Sequence, residues 1–362
     1  MRVLVGLSGG VDSSVTACLL KQAGHEVIGA TMSIWDQQKF KSVDFSGLKD
    51  ACFSPHEQQD IETARKLCEK IGIEYVVIDC QKQYQQLVLE NFKSEYLAGR
   101  TPNPCVVCNS TIKFEALPRG AKAAGIEFDK FATGHYARLS YDNTMARYRL
   151  QQAKDTKKDQ SYFLYRLSQE QLSRVLMPLG DYTKDEVRQI AQQFGLEVSQ
   201  KKDSQDFYSG DINDILQMPA CEGNFVDKDG KILGRHTGFW HYTIGQRRGL
   251  GVSADRPLYV IDIKKDTNEV VLGYEEDGYQ QSLIAGDLRW LSVPTLQQKT
   301  RINLRLRSSQ TPFEADFEPL DDGQAKLFFR APQKAVTKGQ SAVLYDDDGF
   351  VLGGGIIDLV GA

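Results

Sequence analysis

A pair of glycines near the start of the chain has the surroundings of a phosphate-binding loop. Residues 5 to 14 read VGLSGGVDSS, between an apolar, β-branched run and a helix-like run. Backbone N–H groups and hydroxyls at a helix N-terminus form an anion site. No lysine of the Walker type follows the glycines, and the Asp12 carboxylate would repel phosphate unless a metal ion such as Mg²⁺ lay between them. The loop therefore predicts a Mg²⁺-nucleotide site, with a tight strand-to-helix turn as the alternative.

A second segment carries a Cys-x-x-Cys pair. It reads RTPNPCVVCNSTIKFEA, from residue 100 to residue 116. The prolines predict an extended loop between a helix that stops at Gly99 and another that starts near Asn109. Cys108 is then expected at a helix N-terminus, where the dipole favours the thiolate. Half a zinc site, a redox pair and buried inert thiols are the alternatives, although no second pair stands at zinc spacing.

Strand and helix signals alternate through about the first 200 residues, because short apolar runs alternate with apolar stripes of helical period. The sequence Ser54-Pro55-His56-Glu57 predicts a capped helix start, and Gly72 predicts the end of that helix. This order predicts the α/β class, with a doubly wound parallel sheet that binds its ligands at the carboxyl ends of its strands. Strands are predicted at Val3 to Leu7, Val27 to Ile34, 73 to 79 and Lys130 to Thr133, and further capped helices at Ser168 and Thr183.

The texture of the sequence changes after about residue 205. Glycines become dense, and from about residue 281 the segment RINLRLR alternates strictly while DDG and DDDG mark hairpin turns. We predict three domains: a nucleotide-binding α/β domain over 1–205, a small central linker domain over 206–280, and a C-terminal β-barrel over 281–362.

Composition limits the class of protein. The 362 residues suffice for two or three domains, and 41% of them are apolar. The apolar runs are shorter than a membrane span, and the start MRVLVG leaves no room for a signal peptide. Seven unevenly scattered cysteines fit a reducing compartment better than a disulfide scaffold. We therefore predict a cytoplasmic protein without a membrane partner.

Local basic patches point to a polyanion, although the net charge of −4 carries no global nucleic-acid signature. Arg301, Arg305 and Arg307 share one face of the RINLRLR strand, and Arg247 and Arg248 stand in a glycine-rich loop. Basic patches on several domains suit a long, shaped RNA better than a small substrate. A solvated barrel face is the alternative for the arginine strand.

The string SGGVDS resembles the pyrophosphate-binding loop of the N-type ATP pyrophosphatases, which cut ATP between its α- and β-phosphates and use AMP to activate a carbonyl oxygen. Together with TPNPCVVCNSTIKF, ATGHYAR, KKDQSYFLYRL, KKDSQDF, HTGFWHYTIGQRRGLG and AVTKGQSAVLYD, it makes nearly the whole chain similar to the tRNA-specific 2-thiouridylase family. This resemblance implies a PP-loop domain, ATP and Mg²⁺ as cofactors, and tRNA and a persulfide or sulfide donor protein as partners. It also implies adenylation of the 2-carbonyl oxygen of the wobble uridine, followed by displacement of AMP by sulfur.

The resemblance assigns roles to residues of this chain as well. Cys108 would be the nucleophile, and Asp12 the catalytic carboxylate of the glycine loop. The target base would be lined by Asn103, Pro104 and Cys105. ATP would be bound by Gly6, Leu7, Ser8, Gly9, Gly10, Val11, Asp12, Ser13, Met32 and Gly134, and tRNA by His135, Lys158, Asp159, Gln160, Arg305, Leu306 and Gln340.

One stretch departs from the family pattern, which commonly has a second cysteine just after its KKDSxx motif. Here KKDSQDFYSGD places Phe207 and Tyr208 at that point. Cys105, Cys221 and Cys52 are each available as a second thiol. Alternatively, Cys52, Cys105 and Cys108 together have the composition of an iron–sulfur ligand set with one open iron. A persulfide delivered to Cys108 from an external carrier is the simplest route.

Two other functions stay open on the residues alone. A small-molecule ligase of the same ATP pyrophosphatase group, similar to argininosuccinate or NAD synthetase, needs neither a cationic barrel nor a thiol in the proline loop. A nucleotide-binding sensor without chemistry would keep the glycine loop but not Cys108. AMP formation that requires tRNA would separate these three functions.

Overall fold

A parallel five-stranded sheet forms the core of the amino-terminal domain, in a computed structural model that describes residues 1–40, 51–200 and 206–361. Val3, Leu4 and Val5 of its central strand have no exposed surface, as expected for a strand covered by helices on both faces. The strand order is β3-β2-β1-β4-β7, and β5 and β6 form a separate hairpin. The predicted doubly wound parallel sheet is confirmed. The strands are β1 (Arg2–Gly6), β2 (Glu26–Ser33), β3 (Glu74–Asp79), β4 (Lys130–Ala132), β5 (Ala137–Asp142), β6 (Arg147–Gln152) and β7 (Val175–Leu176).

The helices of this domain cover the sheet. Ser168 and Thr183 open two of them with capping boxes, as predicted. Gly72 ends another in the left-handed conformation, with φ 63°. The α-helices are α1 (Val11–Gln22), α2 (Glu57–Ile71), α3 (Gln81–Tyr84), α4 (Glu90–Leu97), α5 (Pro104–Cys108), α6 (Leu117–Ala123), α7 (Gln169–Ser173) and α8 (Lys184–Gln193), with π-helical turns at Gln85–Leu89 and Asn109–Ala116.

The predicted capping box at the start of α2 is wrong. The helix begins only at Glu57, and the hydroxyl of Ser54 accepts a hydrogen bond from the backbone N–H of His56 instead. The Glu57 carboxylate accepts from the Ser33 hydroxyl at 2.8 Å and from the N–H groups of Ile34 and Trp35. Glu57 therefore ties the helix to the carboxyl end of β2.

The predicted helix start near Asn109 is also wrong. Proline fits the first turn of a helix, so α5 already begins at Pro104, and the Asn103 side chain accepts from the N–H of Val106 at 3.4 Å. The chain then continues into a π-helical turn, an irregularity often found at functional sites. Cys108 consequently lies inside a continuous helical segment rather than at its N-terminus.

The remaining chain builds two β-domains. The central sheet has the order β10-β11-β8-β9, and a closed six-stranded barrel follows with the order β12-β15-β14-β13-β16-β17. Ile302, Leu304 and Leu306 of RINLRLR point into the barrel core, as the alternation predicts. The further elements are β8 (Gly223–Val226), β9 (Ile232–His236), β10 (Tyr259–Lys264), β11 (Glu269–Gly273), β12 (Tyr279–Trp290), β13 (Thr300–Arg305), β14 (Phe313–Pro319), β15 (Ala325–Lys334), β16 (Ser341–Tyr345), β17 (Val351–Val360) and α9 (Ile212–Leu216).

The α/β fold with a C-terminal β-barrel is thus confirmed. Residues 201–205, the first five residues of the KKDSQDF motif, lie outside the described residues. No helix in the described part of the chain has the length and apolar character that a membrane crossing requires.

Candidate functional site

The glycine loop joins β1 to α1 and leaves the start of that helix without a side-chain cap, because its N-cap residue is Gly10. Gly9 has φ +67°, and a Cβ there would lie 2.8 Å from the backbone oxygen of Asp60. Gly134, which follows β4, packs so closely that a Cβ would lie 2.7 Å from the Ser13 nitrogen. The loop is therefore held in shape by its neighbours, with the helix N-terminus open to an anion.

A cavity of about 380 Å³ lies against this loop, at the carboxyl ends of β1, β2 and β4. That is the position predicted for ligands of a doubly wound sheet. The structure brings most of the predicted nucleotide-binding residues together here with three residues predicted for tRNA. The predicted residues on its wall are Gly6, Leu7, Ser8, Gly10, Val11, Asp12, Ser13, Met32, Gly134, His135, Lys158 and Gln160, together with Cys52.

Asp12 has a cationic partner that the sequence analysis missed. The Lys184 ammonium donates to both carboxylate oxygens at 2.8 Å, and the Tyr136 hydroxyl donates to one of them at 2.8 Å. The Lys184 side chain is only 7% exposed. This ammonium offsets the carboxylate charge, so Asp12 does not by itself require a metal ion, and the predicted position of Mg²⁺ near Asp12 stays a prediction. A lysine in the first turn of α8, where the dipole disfavours a cation, is the sequence signal for a partner.

His135 lines the cavity as a neutral imidazole. Its Nδ1 lies 2.8 Å from the Thr133 hydroxyl, and its ring lies 5.5 Å from the ring of Phe114. Burial holds the pKa of His135 well below its usual value, and the nearby Lys113 ammonium lowers that pKa further. His135 therefore contributes shape and hydrogen-bonding capacity to the cavity wall, and it does not supply positive charge.

Cys108 is half-buried at the end of α5. Burial raises the pKa of its thiol to about 11, Lys113 opposes the rise, and a negative charge on Cys52 adds to it. Burial likewise raises the pKa of Cys105 to about 12. The expectation that a helix dipole favours the Cys108 thiolate is wrong, because desolvation dominates and the helix begins one turn earlier. Lys113, on the helical turn after Cys108 and on the cavity wall, is a residue that the sequence analysis missed.

The other candidate thiols lie in different places. Cys52 is exposed on the cavity wall. Cys221 is exposed in the central domain, where its sulfur lies 3.3 Å from the Asn268 amide nitrogen. Among the described residues, no group of three or more His, Cys, Asp and Glu side chains is placed to hold a metal ion. The arrangement of Cys52, Cys105 and Cys108 therefore does not fit the predicted iron–sulfur ligand set.

The barrel holds the proline loop that precedes Cys108. The Gln340 amide donates to the carbonyl oxygens of Thr101 and Pro102 at 3.0 and 2.9 Å. The N–H of Thr101 donates to the carbonyl oxygen of Lys338 at 2.8 Å. The side-chain amide of Gln340, a residue predicted to contact tRNA, is thus hydrogen-bonded to the loop that carries Asn103 and Pro104.

Three further residues predicted to contact tRNA are buried, and two of them pair across a domain boundary. Asp159 and Arg305 form an ion pair at 2.5 Å, with side chains 0% and 4% exposed. Leu306 packs in the barrel core, and its carbonyl oxygen accepts from the Tyr162 hydroxyl at 3.2 Å. None of these side chains is accessible in this conformation, so the contacts of Asp159, Arg305 and Leu306 with tRNA stay a prediction. Arg247 and Arg248 are exposed, as an RNA-binding loop requires.

A parallel sheet whose first strand leads through an open SGGVDSS turn into a helix, with a nucleotide-sized cavity at that turn, defines a nucleotide-binding protein of the PP-loop class. Family models match three consecutive parts of the chain. They are described as the tRNA methyl transferase HUP domain (residues 1–208), the tRNA methyl transferase PRC-barrel domain (residues 212–274) and the aminomethyltransferase beta-barrel domain (residues 280–357).

Curated relatives match along their whole length. The tRNA-specific 2-thiouridylase MnmA of Endomicrobium trichonymphae is 50% identical over 99% of both chains. The MnmA proteins of Clostridium botulinum Eklund 17B and Acetivibrio thermocellus are 46% and 43% identical, over 99% and 98% of this chain and 98% and 99% of theirs. The chain therefore belongs to the MnmA family of tRNA-specific 2-thiouridylases.

Proposed function

We propose that this protein is a tRNA-uridine 2-sulfurtransferase. ATP adenylates the 2-carbonyl oxygen of the wobble uridine and releases pyrophosphate, and sulfur from a cysteine persulfide then displaces AMP to leave 2-thiouridine. With tRNA as substrate, the reaction belongs to the cytoplasm. The observation that carries the proposal is the single cavity shared by the glycine loop, by Lys158 and Gln160, and by Lys113 of the helical segment that contains Cys108.

The glycine loop would hold the pyrophosphate that leaves. The N-terminus of α1 offers backbone N–H groups, and the dipole of this 12-residue helix favours an anion there by about 1 kcal/mol. The Lys184 ammonium stabilises the loop by its ion pair with Asp12. Met32 and Gly134 lie on the wall of the same cavity. Mg²⁺ arriving with ATP would be held mainly by the phosphates, near the Asp12 carboxylate that already accepts from Lys184, and would offset charge on the departing pyrophosphate.

The nucleophile in this proposal is Cys108. Its neighbours Asn103, Pro104 and Cys105 would line the flipped-out uridine, because they share one helical turn and its cap. Lys113 is the cation next to the thiol, and it favours the thiolate that nucleophilic attack requires. Because Cys108 is half-buried, this part of the site limits the access of bulk water, which would hydrolyse the adenylated base.

The exposed arginines of the central domain would bind the tRNA backbone. Arg247 and Arg248 lie in an exposed loop that β10 holds at its start: the N–H of Gly245 donates to the carbonyl oxygen of Val260 at 2.8 Å, and the Gln246 carbonyl oxygen accepts from the N–H of Val260 at 2.9 Å. Each phosphate neutralised releases counterions, so tRNA affinity should fall steeply with salt in spite of the acidic total charge.

Product analysis tests this function. The purified chain is given ATP, Mg²⁺, a sulfide source and tRNA with an unmodified wobble uridine, and the nucleotides and the tRNA nucleosides are then separated. We expect AMP, pyrophosphate and 2-thiouridine in equal amounts, and no AMP without tRNA. Formation of ADP and orthophosphate would contradict the proposal. AMP formation that needs an amino acid instead of tRNA would indicate a small-molecule ligase, and ATP binding without turnover would indicate a sensor.

A further inference from the structure

Cys52 is the thiol on the wall of the nucleotide cavity. Of the seven cysteines, all of which the structure describes, it alone is among the residues lining the cavity of the glycine loop. It is also exposed, whereas Cys105 and Cys108 are half-buried. Of the thiols near the glycine loop, Cys52 is therefore the one that a sulfur donor from solution can reach.

The backbone places Cys52 beside the stretch where the family pattern has its second cysteine. The N–H of Cys52 donates to the carbonyl oxygen of Asp206 at 3.2 Å, and the N–H of Phe53 donates to that of Phe207 at 3.0 Å. Ala51 and Asp206 form a parallel bridge. The segments 51–53 and 206–207 thus run side by side, and Cys52 occupies the neighbourhood in which Phe207 replaces a thiol.

Aromatic packing fixes this neighbourhood. The ring of Phe53 stacks on Phe207 with centroids 5.9 Å apart and an interplanar angle of 9°, and on Tyr84 at 5.4 Å and 17°. The ring centroids of Phe207 and Phe92 lie 4.9 Å apart. Phe53 and Tyr84 are buried, so Cys52 sits on a rigid base although its own side chain is exposed.

Cys52 also lies within electrostatic reach of the proposed nucleophile. A negative charge on Cys52 raises the pKa of Cys108 and of Cys105, and all three thiols act on the buried hydroxyl of Tyr84. Cys108 packs against the same hydrophobic cluster that contains Phe53 and Tyr84 and that Phe207 also contacts, so the segment that carries Cys52 and the turn that carries Cys108 border one region of the domain.

We propose that Cys52 carries the persulfide in this protein and takes the place of the missing second cysteine; this inference rests on the proposed function. Cys221 is less suited, because it lies in the central domain, beside Asn268, away from the glycine loop. Cys18, Cys68 and Cys80 are buried in the domain core.

The transfer balances in atoms and electrons. A donor persulfide passes its terminal sulfur to the Cys52 Sγ. The Cys108 thiol then gives up its proton and attacks this Sγ; the bond from Sγ to the terminal sulfur breaks, and a Cys52–Cys108 disulfide forms. The two cysteine sulfurs lose two electrons, which reduce the terminal sulfur to hydrosulfide. Hydrosulfide adds to C2 of the adenylated uridine, AMP leaves with the former 2-oxygen, and an external thiol reductant restores both cysteines.

Two sulfur sources test the assignment. Thiolation of tRNA is measured in the full-length protein with glutathione persulfide as donor, and in parallel with hydrosulfide, which needs no carrier. Cys52→Ala should lose about 100-fold in the persulfide rate, and hydrosulfide should restore thiolation to near the wild-type rate. Cys221→Ala is the matched control, since it removes another exposed thiol, and it should behave like the wild type with both sources.

A single turnover without reductant identifies the partner thiol. Mass spectrometry of the unreduced digest should show a Cys52–Cys108 disulfide in amounts equal to the 2-thiouridine formed from persulfide, and none when hydrosulfide is used. Persulfide-driven thiolation by Cys52→Ala at the wild-type rate, or a Cys105–Cys108 disulfide instead, would overturn the inference. Absence of tRNA-dependent AMP in the wild type would refute the proposed function itself, which is a distinct result.

Discussion

Replacing Arg305 by alanine should cost the protein about 3–5 kcal/mol of unfolding free energy, because it leaves a buried carboxylate without its cation. The Asp159 side chain has no exposed surface, and the Arg305 side chain is 4% exposed. Asp159 keeps hydrogen bonds from the N–H of Ala153 at 3.0 Å and from the Ser161 hydroxyl at 2.8 Å. These remaining donors place the expected loss near 3 kcal/mol, the lower end of the range.

The matched control is Arg301→Ala on the same strand. Arg301 pairs with Glu314 at 2.6 Å, but both side chains are at least half exposed, so its removal should cost no more than about 1 kcal/mol. Urea unfolding followed by circular dichroism measures both losses. The double variant Asp159→Asn/Arg305→Met should lose less than the sum of its single variants by at least about 1 kcal/mol.

The salt dependence of tRNA binding tests whether Arg305 contacts a phosphate instead. A buried residue that joins two domains should leave the salt dependence of tRNA affinity unchanged in protein that remains folded. If Arg305→Ala loses no more stability than Arg301→Ala, while the slope of log affinity against log salt falls by about 0.9, then Arg305 contacts a phosphate and the reasoning is refuted.

Three further predictions concern the nucleotide site. Gly134→Ala places a Cβ 2.7 Å from the Ser13 nitrogen and should weaken ATP binding, measured by calorimetry, at least about tenfold. Gly278→Ala is the control, because open space surrounds its Cβ position, and it should bind ATP like the wild type. Equal ATP affinities of the two variants would contradict the packing argument. Because the pKa of Cys108 is about 11, single-turnover thiolation should rise about tenfold per pH unit between pH 7 and 9, and a plateau by pH 8 would show a more acidic thiol. Folding lowers the pKa of His135, so below pH 6.5, about the usual pKa of histidine, the unfolded chain binds more protons than the folded chain. The free energy of unfolding in urea should therefore be highest above that pH and decline below it, and His135→Asn should flatten the decline. The same decline in the variant and in the wild type would show that His135 titrates normally.

The sequence predicts the scaffold well, because periodicity and turn chemistry are local signals. The short apolar runs around SGGVDSS predict the parallel sheet, and the alternation in RINLRLR correctly selects Ile302, Leu304 and Leu306 as barrel core. The same local signals place the loop at the carboxyl end of β1, where the cavity lies.

Pairings between distant residues are not encoded in any local pattern. Asp12 and Lys184 are 172 residues apart, so nothing near the glycine loop announces the ammonium that offsets its carboxylate. Alternation tells which face of a strand carries Arg305, but it does not tell that another domain covers that face. The predicted helix start near Asn109 is wrong because proline both breaks helices and starts them, and here Pro104 starts one.

The fate of the uridine 2-oxygen tests the central claim most directly. tRNA carrying ¹⁸O at C2 of the wobble uridine is incubated with the protein, ATP and hydrosulfide, and the AMP released is analysed by mass spectrometry. Adenylation of that oxygen predicts one ¹⁸O atom in the phosphate of each AMP molecule, matched by one 2-thiouridine. Unlabelled AMP, or label found in water or in orthophosphate, would contradict the account.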